Sequence, residues 1–307
     1  MPPLDGASAM LRGMCQEHLR NNGPESLQPK RKEPLSPQDL RDMRRLPDGV
    51  SLGKRVVLWS STLMLSIWAA LCLGLSAGFR KAEMFLPSGT DFDFKRLSWS
   101  SIVWYIGGKY VRIPAPEQLR NLREGDAAIV KPGCSKTDPF GTYFSEQAIW
   151  LPVVLGDVTN AALALADLEL RCEVAAQARG DTSLVCVDER LTPVTHSVAD
   201  AWLHVLLVLA FGATKAGTHS WHSCRSGCAC ALLALGYDAP SIQAYCRWRS
   251  PDSLRVYARI GREQYTDTVK KIATASISTI QVHNLPTCDG DAVAAALAGV
   301  SLCEVDE

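Results

Sequence analysis

The stretch Gly217–Tyr237, GTHSWHSCRSGCACALLALGY, decides how the rest of the chain is read. Ser220 precedes a run rich in Ala, Leu and Cys, a pattern that predicts a helix over Ser220–Leu235. His222 and Arg225 lie three residues apart and project from one face of such a helix. Taken alone, the pair is equally what a surface His and Arg on a core helix would give. Cys224, Cys228 and Cys230 share the segment. No second group with zinc-ligand spacing accompanies them, so no metal site is expected there.

Downstream, CRWRSPDSLRVYAR (Cys246–Arg259) puts Tyr257 nine residues after Trp248, with short helices predicted over Ala239–Trp248 and Ser253–Arg259. Upstream, LSAGFRKAEM (Leu75–Met84) ends the charge-free run Val56–Phe79 and sets Arg80 directly after it, with Glu83 three residues on. A run of that length could span a bilayer, where about 20 apolar residues suffice. Ser60, Ser61, Thr62, Ser66, Ser76, Gly74 and Gly78 interrupt it, and its nearest rival, Trp202–Thr214, is shorter and carries His204. A buried helix in a globular core is the expectation.

Between these segments the pattern changes. Trp99–Ile106 and Lys109–Ile113 are aromatic and β-branched around Gly107-Gly108, which predicts a hairpin. Asp126–Lys131 and Ala148–Leu155 are strand candidates flanking a polar loop that contains Ser135-Lys136-Thr137-Asp138. Ala161–Arg179 and Val198–Lys215 read as long helices. Near the start, Ala9–Arg20 is a short helical candidate, Asn21–Pro37 a linker, and Ser36-Pro37 a helix start with Ser36 as N-cap.

The composition of the 307 residues, 47% apolar and 21% charged, fits a globular chain with a sizeable core and excludes disorder for most of it. Eleven cysteines without a repeated frame, and no secretory signal in MPPLDGASAMLRG, point to a reduced intracellular setting. Walker A, GxGxxG, HExxH and GxSxG motifs are absent.

Arg80, a loop Lys136, His222-x-x-Arg225, Trp248 and Tyr257 occur in that order, and in that order the chain resembles the catalytic domain of tyrosine recombinases, the phage-integrase-like DNA strand-exchange enzymes. GFRKAEM is similar to the family's first arginine motif, with Glu83 as its structural companion. SKTDPFG is similar to the lysine hairpin of recombinases from eukaryotic mobile elements. The resemblance covers roughly residues 30–270. It implies an α+β, mostly helical fold with a small antiparallel sheet, like that of tyrosine recombinases and type IB topoisomerases. It divides the chain into a remnant of an N-terminal core-binding domain plus linker (1–29), a catalytic domain (30–271) and an acidic tail (272–307). The implied partners are double-stranded DNA and further copies of the chain in a synaptic tetramer. No cofactor, metal or membrane is implied, and the location would be nuclear in a eukaryote.

The implied chemistry suits these residue types. Attack on a phosphodiester builds negative charge on the non-bridging oxygens, which the planar forks of Arg80 and Arg225 match. Tyr257 is the implied nucleophile, forming a 3′-phosphotyrosine bond. Lys136 is the implied general acid for the departing 5′ oxygen, and His222 assists proton transfer. Trp248 offers an indole N–H and ring packing. Simpler roles compete: Arg80 as a cap on the preceding helix, Lys136 as a turn lysine with Lys131 as rival, Trp248 as a core aromatic, and Tyr245 or Tyr265 as alternative nucleophiles. His219 is either a supporting residue or an exposed one. A shortened clamp region also fits a retired or domesticated DNA-binding copy.

The zero formal charge, 32 basic against 32 acidic side chains, argues against nucleic acid only when taken whole. Asp289, Asp291, Glu304, Asp306 and Glu307 all lie beyond residue 271, where no Lys or Arg occurs. The first 271 residues therefore carry 32 basic and 27 acidic side chains, a net of +5. That balance permits a phosphate partner.

Overall fold

Ser36 opens the first helix as its sequence predicts. In α1 (Pro37–Arg44) the Ser36 hydroxyl accepts from the Asp39 amide at 3.1 Å, and the Asp39 carboxylate accepts from the Ser36 amide at 2.8 Å. This reciprocal cap satisfies two of the amides a helix start leaves orphaned. The computed structural model describes residues 14, 16, 17, 20, 21, 32–93, 95–133, 148–180 and 183–248. All lie in one compact unit, Met1–Ala258. Of the Ala9–Arg20 candidate, Met14, Gln16, Glu17 and Arg20 are described, each helical and exposed. The Ser253–Arg259 helix and the proposed boundary at residue 271 lie outside the described residues.

After a two-residue hairpin of β1 (Ser51–Leu52) and β2 (Arg55–Val56), the charge-free run forms α2 (Thr62–Ala77). Thirteen of its sixteen residues are buried, which explains why the run shows no polar stripe. At about 1.5 Å per residue it measures about 24 Å, short of the ~30 Å of bilayer hydrocarbon. Among the described residues no helix is long and apolar enough to cross a membrane. The helix is the centre of a protein core.

The chain turns through α3 (Lys81–Met84) into a four-stranded antiparallel sheet. Its strands are β3 (Ile102–Ile106), β4 (Lys109–Val111), β5 (Ala127–Val130) and β6 (Ile149–Pro152), in the order β4-β3-β5-β6, with α4 (Pro116–Arg120) between β4 and β5. The Gly107-Gly108 hairpin and both predicted flanking strands are present, with Val130 paired to Ile149. Ile102, Trp104, Ala128, Val130 and Leu151 face the core. The β5–β6 connection that contains Lys136 falls among residues 134–147, outside the described residues.

The predicted helix Ala161–Arg179 is two helices, α5 (Ala161–Arg171) and α6 (Glu173–Ala178), broken at Cys172. The break lets Arg179 reach back to the Glu169 carboxylate. Trp104 Nε1 donates to the same carboxylate at 2.8 Å, and Arg179 Nη1 donates to the Trp99 carbonyl at 2.9 Å. This buried pair ties sheet to helix. Val198–Lys215 likewise divides into α7 (His196–Phe211) and α8 (Ala213–Thr218) at Gly212, whose φ of +85° favours glycine. The chain continues as α9 (Trp221–Ala234) and α10 (Ala239–Tyr245). A mostly helical α+β fold with small antiparallel sheets is the result.

Candidate functional site

The last turn of α2 contains no basic residue. A helix leaves its final carbonyls unpaired and its carboxyl end partly negative, and here donors distant in sequence supply the cap. Tyr245 Oη donates to the Ser76 carbonyl at 2.6 Å, Arg247 Nη1 to Ala77 at 3.0 Å, and Arg225 Nη1 to Gly78. Arg225 Nη2 also donates to the Cys246 carbonyl. Gly78 sits at φ +62°, and a Cβ there would stand 3.7 Å from Arg225 Nη1. The position suits glycine on conformational grounds.

Arg225 reaches this end because α9 packs very close to α2. A Cβ on Gly74 would lie 2.9 Å from Cys224 Cβ, and one on Gly227 would lie 1.8 Å from the Leu35 carbonyl oxygen. The Leu35 amide donates to the Ser223 carbonyl at 2.9 Å, so the strand-like segment before α1 straps the start of α9. At that start the Ser220 amide donates to Ser223 Oγ at 3.0 Å, and Trp221 packs edge-on against Phe85 with ring centroids 4.9 Å apart. The Arg225 guanidinium lies 5.6 Å from the Trp248 ring centroid, within cation–π range. Arg225 is 1% exposed, which removes the surface-arginine reading.

Glu83 is buried within the same cluster. It accepts from the Arg80 amide and Arg80 Nη1, each at 2.9 Å, and from Arg247 Nη2 at 3.1 Å. Burial would raise its pKa. The Arg247 charge, the Arg80 amide and the charges of Arg80 and Arg225 outweigh that, holding Glu83 below its ordinary value. Arg225 is pulled down to about 10 by burial and by repulsion from Arg80, with Glu83 opposing, so it remains charged at neutral pH. Among the described residues, Glu83 accepts from two guanidiniums, Arg80 and Arg247, and feels the charge of a third, Arg225.

This cluster opens onto a cleft of about 310 Å³ lined by Arg80, Lys81, Asp200, Ser220, His222 and Arg225 together with Phe79, Ala82 and Trp221. Desolvation, then the charges of Arg225 and Arg80, push the His222 pKa below its ordinary value. The imidazole is therefore neutral at pH 7 and able to take up a proton.

Arg80, His222 and Arg225 line one cleft, Glu83 holds Arg80 from behind, and Trp248 supports Arg225. Arg80 does not cap α2; Arg225, Arg247 and Tyr245 do. His219 is buried away from the cleft lining, its Nδ1 donating to the Lys215 carbonyl at 2.7 Å. Tyr245 has its hydroxyl on the Ser76 carbonyl and its phenol pushed up to about 12 by burial first and by Cys228, Cys246 and Tyr237 after it, a poor setting for a nucleophile. Lys131 is exposed after β5. Lys136, Tyr257 and Tyr265 lie outside the described residues. Cys224 and Cys228 are buried with free thiols and Cys230 is half-buried.

Sequence reasoning missed Arg247, Lys81 and Asp200. Arg247 adopts φ +54°, a left-handed conformation rare outside glycine, and lies under Phe79 at 4.6 Å from the ring centroid. The one sequence signal was an arginine placed directly beside Trp248.

No protein-family profile and no curated protein matches this chain. Among solved structures, the chain is similar to the crystal structure of XerA recombinase at 13% identity and a TM-score of 0.44, over 84% of this chain and 69% of that one.

Proposed function

We propose that this chain is a DNA breaking–rejoining enzyme of the tyrosine-recombinase type, working through a covalent 3′-phosphotyrosine. The observation that supports this most is the arginine-rich cleft itself. Arg80 and Arg225, far apart in sequence, line one cavity, and Glu83 is the one carboxylate among the described residues that accepts hydrogen bonds from this arginine cluster. Planar guanidinium forks brought together at a cavity suit the oxygens of an anion. A scissile phosphate is the right size and sign.

In the proposed reaction Tyr257 Oη attacks phosphorus and its proton passes to neutral His222. The bond from phosphorus to O5′ breaks, and the departing oxygen takes a proton from the Lys136 ammonium. Arg80 and Arg225 hold the non-bridging oxygens; loss of one such preorganised donor typically costs about 10²–10³ in rate. Glu83 fixes the Arg80 fork, and Trp248 fixes that of Arg225. The 5′-hydroxyl of a second strand reverses the step, so the phosphotyrosine conserves the bond. Double-stranded DNA is the proposed substrate, a synaptic tetramer the proposed assembly, and a eukaryotic mobile element acting in the nucleus the proposed origin.

A nicked suicide-substrate library tests this directly. Wild-type protein is expected to form a covalent adduct that maps to Tyr257 by mass spectrometry and disappears in Tyr257→Phe. An adduct that survives the substitution overturns the assignment. One observation favours a second reading, a domesticated copy that binds DNA without exchanging strands: Arg225 donates from both Nη atoms to backbone carbonyls, as a structural arginine does. DNA binding with no adduct across the library is the outcome that supports it.

A further inference from the structure

The cleft holds a carboxylate that an anion site should not tolerate. Asp200, on α7, is the only acidic residue among the cleft's described lining. Lys81, next to Arg80 on α3, holds it: Lys81 Nζ lies 2.8 and 3.0 Å from the two Asp200 oxygens. We propose that Lys81 and Asp200 form an ion-pair latch, in which Asp200 holds Lys81 in reserve and an entering phosphodiester takes Lys81 from it as a further ligand. The proposal rests on the anion-binding reading of the cleft and gives a binding role to a lysine to which the sequence analysis assigned none.

Three features support an exchangeable pair. The side chains are 30% and 54% exposed, so the pair is weak and breaking it leaves Asp200 hydrated rather than buried. Lysine is a point charge on a flexible four-carbon stem, able to swing between two oxygen partners where an arginine fork would be held by geometry. The pair bridges two helices that belong to different parts of the chain, 119 residues apart, and both residues face the cavity. Closed, the latch cancels Asp200's repulsion. An anion that cannot engage Lys81 leaves the pair closed and gains nothing from it, which makes the pair a selectivity element as well.

Sulfate, a tetrahedral dianion that does not titrate near neutral pH, serves as the probe, with binding to the full chain followed by the His222 imidazole NMR resonance. Asp200→Asn is expected to bind sulfate about threefold more tightly, since Lys81 is released. The double variant Lys81→Met/Asp200→Asn has the same net charge as wild type and is expected to bind about threefold more weakly, because the transferable ligand is gone. Equal affinity of the double variant and wild type overturns the latch and leaves an inert surface pair, with the anion reading intact. Failure of wild type to bind sulfate, with Arg80→Met behaving identically, overturns the anion reading and the latch together. Both side chains are partly in water, so neither substitution is expected to disturb the fold.

Discussion

Two buried ionic clusters among the described residues are built to different rules. At the junction of sheet and helix, Arg179 and Glu169 form one pair, with Trp104 donating to the carboxylate and the Trp99 carbonyl accepting from Arg179. At the end of α2, Arg80, Arg225 and Arg247 gather about the carboxylate of Glu83, and Arg80 and Arg225 line a cleft. The first sets one cation against one carboxylate away from the cleft lining. The second gathers three cations about one carboxylate at the edge of a cleft. A one-to-one pair suits a structural joint, whereas cations gathered at a cavity suit the anion site proposed above.

The sharpest way to break this comparison is to neutralise each carboxylate in turn. Glu83→Gln strands buried guanidinium charge and is expected to cost about 3–5 kcal/mol of stability by denaturant melts, whereas Glu169→Gln, at a carboxyl whose surroundings favour the proton, is expected to cost less. Sulfate should separate them. On the proposed anion-binding reading it should bind at the cleft and restore about 1 kcal/mol to Glu83→Gln at about fivefold over its Kd, beyond the general salting effect expected in Glu169→Gln. Equal responses would erase the distinction.

The pH dependence sharpens it further. Glu83 has a lowered pKa, so its contribution is fully present above the ordinary glutamate value near 4.5 and is lost as pH falls through the lower folded value. Glu169 has a raised pKa, because burial outweighs Arg179 and Trp104. Its folded form favours the proton, and stability declines as pH rises through the folded value. The stability advantage of wild type over Glu83→Gln should therefore shrink on acidification, while that over Glu169→Gln grows. Parallel slopes would contradict the two environments.

The smallest effect concerns His222. Its depressed pKa owes part of its shift to Arg80. Arg80→Met should move the imidazole titration, followed by NMR, upward by a fraction of a pH unit toward about 6.5. No movement would place the two groups electrically apart.

Much of this architecture was legible in the sequence because it rests on local patterns. The charge-free run read as a core helix, Gly107-Gly108 as a hairpin, and Ser220–Leu235 as the helix that presents His222 and Arg225. The pairing of Arg80 with Glu83 was implied by the resemblance of GFRKAEM to a family motif. What stayed hidden depends on partners distant along the chain. Nothing near Arg247 announces that its neighbours are Ala77 and Glu83, and the Lys81–Asp200 pair spans 119 residues without a shared motif. The breaks at Cys172 and Gly212 were missed for a related reason. Alanine- and leucine-rich runs favour continuous helix locally, but tertiary partners such as Glu169 and Arg179 require the chain to turn.

The capped end of α2 also sets an order of assembly. Its carbonyls at Ser76, Ala77 and Gly78 receive donors 169, 170 and 147 residues further on. Loop closure over such separations is slow, and a chain on the ribosome exposes that helix end long before its donors have been synthesised. The arginine cluster is thus among the last features to form, and it exists only once the chain has emerged as far as Arg247.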